Sequence, residues 1–286
     1  MKKPAAIAIA VLLTAAGIFL VWQVVKFSGM FAGNQPEETP APVIAETPEP
    51  TPEPTPELTP EPTPEIVKDY MLSEEKLKEL KEELVRDQGI NSDVRCILHF
   101  NNDLVHDPVL QYENENYYLY LNWQTREYQS YGSIVLDSRN NLALDEMNTI
   151  IYGHYIYEFR NPDRTLVFTP LARLMDKSVW EENRYVTLLL NDEVRYYEIC
   201  SVYDCPLQTM ADGSQFCLDG LEYNLLYFDS DYFARYKENI RAHEYYSTGV
   251  DFYDTDRFLT LQTCIENHHE SREIVLCREL ERKPLS

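Results

Sequence analysis

Three residues of this chain have the types needed for acyl transfer through a thiol. Cys264 ends the segment FLTLQTC, Arg272 follows eight residues later, and His154 ends the earlier segment NTIIYGH. A cysteine attacks an acyl carbon as its thiolate, and a nearby imidazolium or guanidinium lowers the thiol pKa from about 8.5. The three residues predict nucleophilic catalysis by Cys264, with His154 as proton partner and Arg272 stabilising developing negative charge.

Each of these residues stands next to a predicted strand, which is how distant parts of the chain can meet. Short runs rich in β-branched and aromatic residues predict strands at residues 117–121, 133–137, 148–152, 186–190, 194–200, 258–263 and 273–277. Gly153 is predicted to let the chain turn just before His154. Many short strands of this kind favour a mainly β fold, as a sandwich or barrel.

Three helices are predicted beside the strands. Ser73 can cap a helix that presents Leu77, Leu80 and Leu84 on one face and stops at Gly89. A second helix opens at Thr169-Pro170, and a third spans about Ser230 to His243, inside a long insertion before the cysteine strand. We expect the first to pack on the domain and the others to lie at its rim.

The N-terminal quarter predicts membrane attachment. Residues 1–3 carry two lysines, and residues 4–26 form an apolar run that is uncharged up to Lys26 and long enough as a helix to span roughly 33 Å. A cleaved signal peptide is the alternative, but the run continues through Trp22, past the small residues Ala15 to Gly17. The lysines predict a cytoplasmic N-terminus, a single-pass anchor in the cell membrane and an extracellular remainder.

Residues 27–66 are predicted to be an extended stalk, because the repeated T-P-E-P pattern denies backbone donors and favours polyproline II. Residues 67–286 then form the extracellular catalytic domain. The formal net charge of -23 excludes the nucleic-acid-binding classes, which rely on clustered Lys and Arg.

Other chemical assignments compete with the thiol mechanism. A papain-like hydrolase needs its cysteine before its histidine, the reverse of the order here. His268 and His269 suit a solvated loop better than a metal site, so no metal and no cofactor are predicted. Cys200 and Cys205 could form a disulfide or stay reduced, and the sequence does not choose.

The motifs resemble those of the sortase family of cysteine transpeptidases. The histidine context is Ile151-Tyr-Gly-His154, the strand end is Thr260-Leu-Gln-Thr-Cys264, and Arg272 follows. Their order, the single anchor and the stalk are all similar to that family, and the helical insertion before the cysteine strand resembles class B. The resemblance implies a closed sortase-type β-barrel with an N-terminal helix and helical insertions, preceded by a transmembrane helix.

The resemblance also implies a function and partners. Surface proteins carrying a sorting signal are cut at a Thr-Gly type bond, and the acyl group passes through a Cys264 thioester to an amine of peptidoglycan precursor in a Gram-positive-type cell wall. Asn122, Tyr152 and Thr263 resemble groove residues that hold the sorting peptide. Two alternatives stay open: a sortase that polymerises pilin subunits through a pilin amine, and a catalytically silent, membrane-tethered binding module.

Overall fold

The computed structural model describes residues 68–157, 160–161, 163–209, 215–216, 220–265 and 268–285. All of them belong to the second of two compact units, Pro64–Ser286, which follows Met1–Thr63. The predicted tip at 1–3, anchor at 4–26 and stalk at 27–66 lie outside the described residues. No helix formed by the described residues has both the length and the apolar content that crossing a membrane requires.

Eight strands close into one barrel. Their order around it is β1-β2-β3-β4-β9-β10-β6-β5, and β5 returns to β1. The pairs β2–β3 and β4–β9 are parallel, and the other pairs are antiparallel. The barrel strands are β1 Val94–Phe100, β2 His106–Leu110, β3 Ile134–Leu136, β4 Asn148–Tyr152, β5 Tyr185–Leu189, β6 Glu193–Pro206, β9 Phe258–Ile265 and β10 His268–Pro284, and a separate small pair is β7 Gln208–Thr209 with β8 Gln215–Phe216.

The three predicted helices are present, the second as a 3-10 helix, and two short helices were not predicted. The helices are α1 Glu74–Ile90, α2 Asn116–Leu119, a 3-10 helix Thr169–Met175, α3 Lys177–Glu182 and α4 Ser230–His243. Ser73 caps α1 by accepting a hydrogen bond from the Lys76 amide at 3.2 Å, and Glu74 and Glu75 complement the positive end of its dipole. The helix runs one residue past the predicted stop at Gly89.

Side chains alternate between the two faces of each strand, and the buried apolar ones form two clusters. Cys96, Leu98 and Phe100 point to the larger one, which also holds the buried faces of β6, β9, β10 and α4. Ile97 points the other way, into a smaller cluster with Leu80 and Leu84 of α1. The second cluster attaches the N-terminal helix to the barrel.

One predicted strand is a helix instead. The predicted strand 117–121 overlaps α2, because the side chain and carbonyl of Asn114 start a turn just before that helix. Tyr118 is buried there, and its hydroxyl donates to Asp93 at 2.7 Å. Turn formation and burial of this one tyrosine therefore override the strand preference of the segment.

The structure also differs from the sequence prediction at two strands and one loop. The sequence pattern does not predict β1 and β2, because His99 and Pro108 break their apolar periodicity. His268 and His269, predicted to lie in a loop, are the first residues of β10. Strand β10 therefore begins earlier in the chain than the residue composition indicates.

Cys200 is a free thiol, whereas Cys205 is disulfide-bonded, so the two do not pair with each other. Both lie in β6, five residues apart. A strand rises about 3.3 Å per residue, so their Cα atoms lie far beyond the roughly 7 Å limit for a disulfide.

Candidate active site

The barrel brings the three predicted catalytic residues to neighbouring strand ends. β4 and β9 run parallel with Tyr152 opposite Gln262, and the Gly153 amide donates to the Gln262 carbonyl at 3.2 Å. His154 and Cys264 each lie two residues beyond that pair, which places them side by side, with Cys264 still in β9 and His154 just past the end of β4. Arg272 on β10 is paired directly with Cys264. With strands about 4.8 Å apart, His154, Cys264 and Arg272 form one row across three strands, which we call the catalytic row.

Cys264 is the thiol suited to react among the free cysteines that the structure describes. It is half-buried, whereas Cys96, Cys200 and Cys277 are fully buried. Burial raises the pKa of Cys96 to about 12 and also raises the pKa of Cys200 and of Cys277. Those three thiols therefore stay protonated and inert, and Cys264 alone of the four combines access with a directly paired arginine.

The imidazole of His154 is oriented by main chain and by an aromatic ring. It donates to the backbone carbonyl of Leu119, and the ring of Tyr120 lies 5.1 Å away, tilted by 52°. Its Nε2 is buried and has no hydrogen bond, which leaves Nδ1 as the donor to Leu119. Burial lowers the pKa of His154, and the Leu119 carbonyl partly opposes that shift. The result is a neutral imidazole with Nε2 left to exchange protons.

The structure explains the glycine at position 153 by close packing, and not by the turn that the sequence predicts. Its φ is not in the left-handed region, but a Cβ there would lie 2.7 Å from the ring of Phe168. Phe168 is fully buried, so the ring has no room to move away. The glycine therefore allows the close packing that sets the position of His154.

Arg272 lies between two neighbouring strands of the barrel. It pairs with Cys264 on one side and with Cys205 on the other, and its Nη1 donates to the Ser271 carbonyl at 3.0 Å. Because directly paired residues project to the same face, the guanidinium shares a face with the thiol. Its charge is placed to stabilise an oxyanion formed from substrate on that face.

Two further residues of the site were not predicted. Tyr223, buried and from the insertion before α4, accepts a hydrogen bond from the Gln262 amide. Burial raises the pKa of Tyr223, while the charge of Arg272 lowers it and that of Cys264 raises it, so its phenol lies near both. Gln262 was visible as the polar residue two before Cys264 on the same face, but no spacing in the sequence points to Tyr223.

Two of the three predicted substrate contacts, Asn122 and Tyr152, have other partners in the structure, whereas the buried hydroxyl of Thr263 has no hydrogen bond. Asn122 accepts from the amides of Gln124 and Thr125 at 2.8 and 3.0 Å, which closes a turn. Tyr152 donates to the buried carboxylate of Asp137 at 2.6 Å. Thr263 is buried and, as the residue before Cys264 in a strand, projects to the opposite face. A role for these residues in peptide binding stays a prediction.

No family model matches the chain. Sortase B of Listeria monocytogenes is 28% identical over 202 residues, which cover 69% of this chain and 74% of that protein. The crystal structure of sortase B from Clostridium perfringens aligns with a TM-score of 0.56 and 27% identity, covering 69% of this chain and 99% of that one. A Staphylococcus aureus sortase B–substrate complex aligns with a TM-score of 0.56 and 21% identity, over 72% of this chain and 89% of that one.

A closed barrel whose strand ends present a reachable thiol beside a guanidinium and an oriented imidazole, together with these relatives, defines a cysteine transpeptidase. The chain is similar to the sortases, and the relatives that it matches are sortases of class B.

Proposed function

We propose that this sortase cleaves a C-terminal sorting signal of surface proteins at a Thr-Gly type bond and transfers the new acyl end to a cell-wall amine. The observation that supports the proposal most is the catalytic row, in which His154, Cys264 and Arg272 meet across three adjacent strands. The half-buried thiol, the neutral imidazole and the fixed cation suit the two half-reactions of acyl transfer.

In the first half-reaction the thiol of Cys264 passes its proton to Nε2 of His154, and the thiolate attacks the carbonyl carbon of the scissile peptide bond. Negative charge moves to the carbonyl oxygen, where the Arg272 guanidinium and backbone N–H groups stabilise it. The C–N bond breaks as His154 gives the same proton to the leaving amine. The products are a thioester on Cys264, the released C-terminal peptide and a neutral imidazole.

In the second half-reaction the acceptor amine attacks the thioester carbonyl. His154, neutral after the first step, removes a proton from the amine nitrogen as the new C–N bond forms. The C–S bond breaks, and the imidazole returns the proton to the sulfur of Cys264. The burial that lowers the pKa of His154 favours the neutral form that this step needs.

The proposed acceptor is peptidoglycan precursor in a Gram-positive-type wall, and the proposed location follows from the N-terminal sequence. An anchor at residues 4–26 would keep the protein in the cell membrane, and a stalk at 27–66 would hold the catalytic domain outside it. A pilin-polymerising sortase would use the same first half-reaction and differ only in the amine.

The test is to trap the thioester. Purified protein is incubated with a library of X-P-x-T-G and X-P-x-T-N peptides, and intact-mass and peptide-level spectrometry look for an acyl adduct on Cys264. We expect an adduct ending in Thr that is absent from Cys264→Ala and is released by added amines. Peptide binding without any adduct would overturn the proposal and identify a silent binding module instead.

The acceptor is then tested separately. The trapped thioester is offered peptidoglycan-stem peptides and, in parallel, lysine-containing pilin peptides, and the rate of amide formation is measured for each. We expect the stem peptide amine to react faster. Preference for the pilin lysine would leave the thioester chemistry intact and change only the acceptor.

A further inference from the structure

A second cluster of chemically capable side chains lies outside the catalytic row, on the hairpin that joins β1 to β2. His99 near the end of β1 and His106 at the start of β2 are paired directly across the two strands, with ring centroids 4.9 Å apart. Asp103 lies in the connecting loop. Among the described residues, these three form a group whose potential ligand atoms all lie within 4.8 Å of one another.

The distances within this hairpin cluster fit a metal-binding geometry. Asp103 Oδ1 lies 3.4 Å from His99 Nδ1 and 3.9 Å from His106 Nδ1. Ligands about 2.0 to 2.1 Å from a tetrahedral zinc ion are separated from one another by roughly 3.3 Å. The three atoms therefore need only small side-chain rotations to share one ion.

Helix α1 adds a partner of the kind that metal-bound histidines have. The second ring nitrogen of His106, Nε2, lies 2.8 Å from Glu83 Oε2. A carboxylate that accepts from one ring nitrogen fixes the tautomer, so that the other nitrogen, Nδ1, carries the lone pair. In this cluster Nδ1 is the atom that faces Asp103.

His99 supplies an independent observation. Its side chain is buried, with the residue 1% exposed, and its Nδ1 makes no hydrogen bond. A buried polar atom without a hydrogen bond is unfavourable, and an ion bound at this nitrogen would satisfy it.

We propose that His99, Asp103 and His106 bind one divalent transition-metal ion, with zinc as the best match, and that Glu83 orients His106 for it. Two imidazole nitrogens and one carboxylate oxygen suit zinc, whereas calcium and magnesium prefer oxygen ligands alone. Asp103 and His106 also line a surface cavity of about 500 Å³, from which water can supply a fourth ligand.

The ion would link two parts of the domain. The ligands lie on the hairpin, and Glu83 lies on α1, the helix that follows the predicted stalk. Binding to the folded state alone raises stability in proportion to the logarithm of zinc concentration over Kd. The expected role is structural attachment of α1, and it does not depend on the transpeptidase proposal.

The test uses the full chain in detergent with Cys264→Ala, so that the active-site thiol cannot bind metal. After EDTA treatment and dialysis, zinc binding is measured by calorimetry, and cobalt(II) is used as a spectroscopic probe. We expect one equivalent of zinc to bind, a tetrahedral cobalt absorption without a sulfur charge-transfer band, and a zinc-dependent rise in Tm. Excess calcium should not displace the zinc.

Variants locate the site. His106→Gln and Asp103→Asn should weaken zinc binding at least tenfold and abolish the cobalt band, and Glu83→Gln should weaken it about tenfold. His243→Gln in α4 and Asp163→Asn in the same cavity are matched controls that should stay within twofold. Asp103 is mostly exposed, so Asp103→Asn should fold normally in the metal-free state. Absence of stoichiometric binding, or equal affinity in the ligand variants, would overturn the proposal.

Discussion

Cys264 and Arg272 are directly paired residues of the antiparallel ladder between β9 and β10. The distance between the thiol and the guanidinium is therefore set by backbone hydrogen bonds of two long strands. Such a pair needs little rearrangement when charge develops, which is the condition under which a fixed cation stabilises a transition state most. The strand β10 extends over Ser271 to Pro284 in its pairing with β6, which holds Arg272 from the other side as well.

Arg272→Lys tests that relationship. Lysine keeps the positive charge but places it as a point charge on a flexible stem, so the planar, fixed donor set is lost. We expect kcat for thioester formation to fall about 10² to 10³-fold, with a small change in KM. Stopped-flow peptide cleavage measures both constants. Arg278→Lys, on the same strand but bonded to Glu198, should leave them unchanged.

Tyr120→Ala tests the cause of the shifted pKa of His154. The Tyr120 ring covers the imidazole from 5.1 Å, so its removal admits water and should raise the pKa of His154 toward 6.5. A base must be deprotonated to act, so the acid limb of the aminolysis rate should move to higher pH. An imidazole proton NMR titration, assigned with His154→Gln, gives the pKa directly. Tyr128→Ala, whose ring is largely exposed, is the control.

Gly132→Ala tests the support beneath the Leu119 carbonyl. Gly132 has φ 54°, and a Cβ there would overlap the carbonyl oxygen of Leu119, the acceptor for His154. We expect a loss of about 2 kcal/mol in unfolding free energy and a lower kcat, because the imidazole loses its fixed partner. Gly89→Ala in α1 meets no atom within 4 Å and should instead stabilise by about 0.5 to 1 kcal/mol. Urea unfolding and peptide cleavage report the two effects.

The catalytic row is predictable from the sequence because each member stands beside a strongly patterned segment. NTIIY and FLTLQT indicate strands by composition alone, so the sequence places His154 and Cys264 at strand ends. The resemblance to sortases also predicts closure of the barrel. The pairing that makes β4 a direct neighbour of β9 is long-range, and no local pattern encodes it.

The residues that surround the catalytic row are not predictable from the sequence. They act through backbone carbonyls or come from segments without a regular pattern. The group that orients His154 is a carbonyl at Leu119, in a segment whose tyrosines favour a strand but which folds as α2. Tyr223 comes from a segment without periodicity. Local propensity sets neither the helical conformation around Leu119 nor the location of Tyr223. Both depend on the burial of a tyrosine, Tyr118 in the first case and Tyr223 in the second.

Tyr152→Phe separates a structural role from peptide binding. The hydroxyl of Tyr152 donates to Asp137 at 2.6 Å, and Asp137 is also held by Arg139 at 2.7 Å. Removing one partner of a buried carboxylate should lower the unfolding free energy by about 1 to 3 kcal/mol. With the hydroxyl engaged in this way, we expect KM for the sorting peptide to stay within twofold. A severalfold rise in KM would instead give Tyr152 the groove role predicted from sequence.

Glu273 makes the stability of the domain depend on pH. It is fully buried and follows Arg272 in the chain, neither carboxylate oxygen has a hydrogen bond, and Asp204 is its direct partner across β10 and β6. Burial, with a smaller contribution from Asp204, raises the pKa of Glu273 to about 8 from 4.5. The nearby phenols of Tyr245 and Tyr246 also have raised pKa values and stay neutral across this range.

The direction of the pH effect is set by proton binding to the Glu273 carboxyl. Between pH 4.5 and about 8 the folded state holds a proton on Glu273 that the unfolded state releases, so the contribution of Glu273 to the unfolding free energy should fall as pH rises through that window. Glu273→Gln keeps the shape and removes the ionisation, so it should be more stable than the parent at pH 8 by a few kcal/mol and show a flatter profile. Chemical denaturation from pH 5 to pH 9 measures this, with Glu222→Gln as control. A parent profile that rises relative to that of Glu273→Gln over the same window would show that Glu273 ionises in the folded state with a partner.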